Sequence, residues 1–220
     1  METENFIDRN PSLETYWRSI ILLGRNVASY KFALAKSLLE LPTQNTLVKI
    51  EDLALPFAKN ISEHLLLNDK QATSPSSTFL DHCRKFNNQE IGENELKEQT
   101  TKFGFTNVID AFHNVAHSEV PRFFEDVRQT EKGIILSDNF FELLQSNQRE
   151  NLKLEVNSRW KLWETALSMK ISPHLIEINS DFDTKTIFVH KSQRIDVTSA
   201  KDGLNGYQKG KCFLLSGNID

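Results

Sequence analysis

Cysteine is scarce in this chain, which contains Cys83 and Cys212 among its 220 residues. Two cysteines so far apart do not make the dense disulfide framework of small secreted domains. Long apolar runs are also missing, since no stretch approaches the roughly 20 residues that cross a membrane as a helix. The first residues, Met1–Asn5, lack the basic and apolar blocks of a secretory signal peptide. We therefore expect a cytoplasmic protein with no membrane partner.

Glycine is infrequent as well, and none of the 8 glycines lies in a phosphate-binding loop of the P-loop or Rossmann type. The chain is nevertheless long enough, and at 39% hydrophobic residues apolar enough, to bury a substantial core. Its length fits one large domain or a domain with a smaller appendix. No internal repeat or low-complexity segment interrupts it.

The net charge of −4 argues against a uniformly basic nucleic-acid binder, but the charges are unevenly distributed. Residues 15–39 contain four basic and no acidic side chains, and residues 185–211 contain six basic and two acidic ones. If folding brings these stretches onto one face, they could hold a phosphate backbone. The alternative is two solvated helix faces and a tail. The predicted nucleic-acid-binding residues are Arg18, Arg25, Lys31, Lys36, Lys201, Lys209 and Lys211.

Apolar residues recur at helical spacing through most of the first half of the chain. Leu13, Tyr16, Trp17 and Ile20 form one such stripe, which Gly24 ends, and Pro42 closes the next. Up to Pro121 the pattern therefore predicts helices only. They cover residues 13–24, 27–41, 51–67, 78–86 and 93–102.

Beyond Pro121 short aromatic and β-branched runs predict two strands, at 122–127 and 133–136. Two further helices are expected over 139–148 and 152–169. A β-hairpin over 174–190 and a short helix from Thr198 to Tyr207 complete the prediction. The fold class is thus α+β and predominantly α-helical. We expect a mainly helical domain over residues 1–170 and a small element with the hairpin over 171–220.

Several short sequence segments occur along the chain in a characteristic order. They are residues 16–18 with 26–36, then 111–114 with 120–126, then 159–166, and finally 200–213. In this order they resemble bacterial HNH endonucleases, and residues 200–213 are similar to the lead-in to the metal-binding nuclease module. The resemblance covers most of the chain. It implies a restriction or phage-defence type of nuclease whose N-terminal region positions DNA.

The same resemblance implies that Cys212 would open a Cys-x-x-Cys pair for a structural zinc. Position 215 is leucine, however, and a lone thiolate cannot close a tetrahedral site, which favours a free thiol at Cys212. The family's catalytic histidine and metal ligands follow these cysteines, and so would lie after Asp220. The complete family would use zinc and a divalent catalytic metal. For this chain we expect no cofactor, no catalytic residue and no metal ligand.

For the other candidate residues, a structural role is favoured over a functional one. His113 and His117 stand at metal-ligand spacing on a helix, yet two ligands leave a site incomplete. We expect them instead to form a polar face or to be hydrogen-bonding partners near the turn at residues 120–122. Asp81 with His82 superficially matches the Asp-His pair of HNH motifs but lacks its flanking residues. Three further histidines lack a motif and are expected to be structural: His64, His174 and His190. The tryptophans coincide with amphipathic stripes, which favours a core role over stacking on bases: Trp17, Trp160 and Trp163.

Three functions remain open from the sequence. The chain could be the substrate-positioning region of an HNH nuclease, which binds DNA weakly and without sequence preference but does not cut it. It could instead be an interaction module for a partner nuclease subunit or for a second copy of itself as a homo-oligomer. A third alternative is the product of a disrupted gene, because the residues after Cys212 are what a frameshift near the second cysteine would leave.

Overall fold

The computed structural model describes residues 12–23, 28–42, 45–74, 76–115 and 120–169. In these ranges the chain forms mostly helices and one small antiparallel sheet, which confirms the predominantly helical α+β class. The helices are α1 (Leu13–Leu23), α2 (Tyr30–Glu40), α3 (Ile50–Leu67), α4 (Thr78–Asn87), α5 (Glu93–Phe103), α6 (Val108–Ala111), α7 (Arg128–Glu131), α8 (Asp138–Gln145) and α9 (Arg149–Ser168). The strands are β1 (Leu47–Lys49), β2 (Phe124–Val127) and β3 (Gly133–Leu136).

The sheet has the order β1-β3-β2, with both pairs antiparallel. Leu47 pairs with Ile135 on one side of β3, and Phe124 pairs with Leu136 on the other. The two strands predicted after Pro121 are thus confirmed. The expectation of helices only before Pro121 is wrong, because β1 precedes α3 directly. A three-residue strand is too short to show the alternation by which strands are recognised in a sequence.

Helix α3 lies at the centre of the helical part and packs against α2, α4 and α5. Leu53, Phe57 and Ile61 recur every four residues on it, and each is fully buried. Helix α9 packs across α1 and α2, so the last described helix shares a core with the first two. The predicted helices at 51–67, 78–86 and 93–102 correspond closely to α3, α4 and α5.

The tryptophans are core residues, as their position on amphipathic stripes predicted. Trp17 and Trp160 have no exposed surface and Trp163 has 1%. The ring of Trp17 packs edge-on against Phe123 at 5.1 Å between centroids, and Trp160 stacks with Phe32 at 6.0 Å. Rings enclosed in this way are not available to stack on bases.

Several expectations fall on residues outside the described ranges: the hairpin over 174–190, the helix over 198–207 and the whole element over 171–220. The division of the chain at residue 170 therefore stays a prediction. Among the described residues, no helix combines the length and the apolarity that crossing a membrane requires.

Candidate functional site

Two of the basic residues predicted to contact nucleic acid are engaged in contacts within the molecule. Arg18 on α1 donates from Nε and Nη2 to the two carboxylate oxygens of Glu155 on α9, at 2.8 and 3.0 Å. Lys31 on α2 is only 5% exposed, and its Nζ donates to the carbonyl of Asn114 at 3.3 Å. Burial lowers the pKa of Lys31 to about 8. These two charges are therefore directed into the molecule.

A third predicted residue, Lys36, lies 3.7 Å from the carboxylate of Glu63, and its side chain is 15% exposed. All three described members of the predicted face thus have intramolecular partners. The remaining members lie outside the described residues: Arg25, Lys201, Lys209 and Lys211. Cys212, His117, His174 and His190 lie outside them too.

A different group of cations surrounds a cavity of about 460 Å³, which we call the basic cleft. Lys49, at the end of β1, and Lys102, in the last turn of α5, line two of its walls. Arg128 begins α7 and Lys132 follows it, and both line the third wall. One carboxylate, that of Glu51 in the first turn of α3, also lines the cavity.

Backbone contacts hold the walls of the basic cleft in place. Lys132 adopts the left-handed conformation, with φ of 52°, which ends α7 and turns the chain into β3. Its carbonyl accepts a hydrogen bond from the amide of Ile50 at 3.0 Å, and so joins this turn to the start of α3. The next residue, Gly133, pairs with Lys49 across the sheet. The two lysines therefore come from backbone that is fixed by hydrogen bonds.

The four cations of the basic cleft differ in how much of their charge is offset. Arg128 is bound by the carboxylates of Asp126 and Asp110 at 2.7 and 2.8 Å, which raise its pKa. Lys49 donates to the carbonyl of Glu131 at 2.7 Å and lies 3.6 Å from its carboxylate.

Lys102 and Lys132 are the cations of the basic cleft that form no ion pair with a described residue. Both side chains are exposed, and neither forms an ion pair with any described residue. The Nζ of Lys102 lies 5.0 Å from the ring centroid of Phe103, which leaves its charge in place. The positive charge that a ligand can use is therefore concentrated at these two lysines.

A second polar cluster is buried between α3 and α9. His64 Nδ1 lies 2.7 Å from Oε1 of Glu164, and Gln71 donates to the same oxygen at 2.6 Å. Trp160 donates from its indole nitrogen to Gln71 at 2.9 Å, and its ring stacks on His64 at 3.6 Å. Because the side chains of His64 and Glu164 are each 7% exposed, the cluster holds helices together and does not face a ligand. The structural role expected for His64 agrees with this geometry.

His113 accepts a hydrogen bond at Nε2 from the amide of Phe123 at 3.0 Å. Burial, helped by the charges of Arg122 and Lys31, lowers the pKa of His113 to about 4, so its ring is neutral at pH 7. An imidazole that accepts from the backbone in this way is a packing residue with a polar edge. This agrees with the polar role that was preferred for it.

The Asp81 and His82 side chains take part in separate local contacts. Asp81 pairs with Arg84 at 2.9 Å, whereas Nδ1 of His82 lies 2.7 Å from the carbonyl of Thr78. Within the ranges that the structure describes, no three His, Cys, Asp or Glu residues are grouped so that they could hold a metal ion.

Comparisons with models of protein families, with curated proteins and with solved structures find no significant match to this chain. They leave the resemblance to HNH endonucleases without support and without opposition. Function must therefore be argued from the chain's own residues.

Proposed function

We propose that this chain binds nucleic acid without cutting it, as the substrate-positioning region of an HNH type of nuclease. The observation that carries the proposal is the basic cleft, where Lys102 and Lys132 present charges that form no ion pair with a described carboxylate. Phosphate groups are the anions that nucleic acids offer along their whole length, and their neutralisation by lysine supplies most of non-specific binding. The fold brings these lysines together from α5 and from the turn before β3.

The same geometry limits the strength of binding. Two free lysines and the partly offset Lys49 can neutralise about two or three phosphates, whereas tight non-specific binders contact many more. The net charge of the chain is −4, so its overall charge opposes association with a duplex and attraction depends on local positive charge such as that of the basic cleft. Binding should therefore be weak, insensitive to sequence and weakened only moderately by added salt, because few phosphates are contacted.

Fluorescence anisotropy with a labelled duplex, measured over a series of salt concentrations, tests this proposal. The logarithm of the association constant should fall with the logarithm of salt concentration with a slope of about −2, as two or three phosphate contacts give. The double variant Lys102→Ala with Lys132→Ala should bind more weakly and lose most of that slope. Circular dichroism and thermal melting should be unchanged, because both side chains are exposed.

The matched control is Lys85→Ala with Lys161→Ala, which removes the same charge from two exposed lysines on α4 and α9 that do not line the cleft. Its slope should equal that of the unaltered chain. Equal loss of binding in both double variants would mean that net charge and not the cleft governs association. The absence of any binding at low salt would favour the alternative function as a protein interaction module.

A further inference from the structure

The charge of the basic cleft suits a phosphate monoester better than a phosphate diester. A phosphate inside a nucleic-acid chain is a diester with a single negative charge, whereas a phosphate monoester carries about −1.5 to −2 at pH 7. Lys102 and Lys132 together offer two positive charges that form no ion pair with a described carboxylate, although Glu51 lines the same cavity. A monoester neutralises both lysines with one group, which a diester cannot do.

The shape of the basic cleft points in the same direction. A volume of about 460 Å³ lies within the range of roughly 300 to 1,000 Å³ that is typical of small-molecule sites. Its walls come from three parts of the fold, namely β1 with the start of α3, the end of α5, and α7 with the turn after it. A diester continues into a nucleotide on both sides, but a monoester ends the chain and can fit into a half-open cavity with walls from three parts of the fold.

Polar acceptors beside the lysines suit the sugar that carries such a phosphate. The carboxylate of Glu51 is exposed, forms no ion pair with a described residue, and when ionised can only accept hydrogen bonds. Carboxylates recurrently bind sugar hydroxyls in nucleotide sites. Thr101 and Thr106 also line the cavity, and their hydroxyls already donate to backbone carbonyls at 2.9 and 3.3 Å, which leaves their oxygens free to accept.

From this combination we infer that the basic cleft binds a phosphate monoester carried on a nucleoside. The sources of that chemistry are the 5′-phosphorylated end of a nucleic-acid chain and a free 5′-nucleotide. Lys102 and Lys132 hold the phosphate, and Glu51 accepts hydrogen bonds from the sugar. Where the ligand is the end of a nucleic-acid chain, the inference rests on the proposed function. It then specifies that the cleft binds the 5′-phosphorylated end of the nucleic acid.

The test compares two oligonucleotides of one sequence, with a 5′-phosphate and with a 5′-hydroxyl, each titrated into the full chain. The phosphorylated form should bind about tenfold more tightly or better, as one further charge-assisted contact gives. Adenosine 5′-monophosphate should compete for the cleft, whereas adenosine should not. The single variants Lys102→Ala and Lys132→Ala should bring the ratio of affinities close to one, and Lys85→Ala should leave it unchanged.

Each outcome separates this inference from the proposed function. Binding of adenosine 5′-monophosphate without binding of either oligonucleotide would keep the inference, with the free nucleotide as its source, and overturn the proposed function. Equal affinity for both oligonucleotides, reduced equally in Lys102→Ala, would keep the proposed function and overturn the inference. If neither the nucleotide nor the oligonucleotides bind, both are wrong.

Discussion

The carboxylate of Glu164 is a buried acidic group of the described core that has two side-chain hydrogen-bond partners. Its Oε1 atom receives hydrogen bonds from His64 and Gln71 at 2.7 and 2.6 Å, and the residue is 5% exposed. A buried charge is tolerated only while donors compensate for the water that it has lost. The stability of this region therefore depends on the donors more than on the carboxylate itself.

The variants His64→Ala and Glu164→Gln separate these two contributions. We expect His64→Ala to lower the free energy of unfolding by about 3 to 5 kcal/mol, because it leaves the buried carboxylate short of a donor. Glu164→Gln keeps an oxygen for both donors, so a loss of only about 1 kcal/mol is expected. Urea denaturation followed by tryptophan fluorescence measures both. A greater loss for Glu164→Gln than for His64→Ala would show that the charge matters more than the donors.

At the scale of elements, the junction of β1 with β3 fixes the position of the basic cleft. Gly133 pairs with Lys49, and a Cβ atom added to this glycine would lie 2.4 Å from the carbonyl oxygen of Val48. That oxygen belongs to the backbone of a paired strand, so it cannot swing aside as a side chain could. The close approach of the two strands therefore requires glycine here.

Gly133→Ala should accordingly lower the free energy of unfolding by about 1 to 3 kcal/mol, the usual cost of overpacking. Because Lys49 and Lys132 flank this contact, the variant should also weaken nucleic-acid binding. Gly92→Ala is the matched control, since a Cβ there meets nothing within 4 Å, and its cost should stay below about 1 kcal/mol. Chemical denaturation and anisotropy provide the two measurements. Equal stability of the two variants would contradict the strand contact as described.

Long elements with a clear boundary could be predicted from the sequence, whereas the three-residue strand β1 and the four-residue helices α6 and α7 could not. Helix α4 shows both signals, since Phe79, Leu80 and Cys83 share its buried face and the Ser77 hydroxyl caps it by accepting from the amide of Leu80. Helices α6 and α7 have four residues each, which is about one turn and too little for a period to appear. They went unpredicted for that reason.

The candidate site was missed for a related reason. Its cations come from β1, from α5 and from α7 with the residue after it. Acidic neighbours such as Asp126 and Glu131 cancel part of the local charge, so no basic stretch is visible in the sequence there. The stretch without acidic residues drew attention to Arg18 and Lys31, whose partners Glu155 and Asn114 lie far along the chain. Tertiary contacts decide which cations remain without an ion pair. Such contacts join residues that are distant in sequence, so a local charge pattern does not reveal them.

Helix α9, the last described element, holds the first two helices through side-chain contacts as well as apolar packing. Arg149 donates to the carbonyl of Leu39 at 2.6 Å, and Arg159 donates to that of Leu22 at 3.0 Å. The ion pair of Arg18 with Glu155 adds a contact with α1. Since backbone carbonyls at the ends of α1 and α2 are satisfied by side chains of α9, these helices depend on it for more than apolar packing.

This dependence leads to a prediction for shortened chains. A chain that ends at Gln148 lacks the four large core side chains of α9, which are Leu152, Val156, Trp160 and Trp163. Each contributes about 1.5 to 3 kcal/mol when buried. Their sum is comparable with the whole stability of a typical domain, about 5 to 15 kcal/mol, so this chain should not fold. A chain that ends at Met169 keeps every described core residue and should unfold in one cooperative transition. Circular dichroism during urea denaturation distinguishes the two. An unfolded chain ending at Met169 would show that residues 170–220 complete the same core, and the division of the chain at residue 170 would then be wrong.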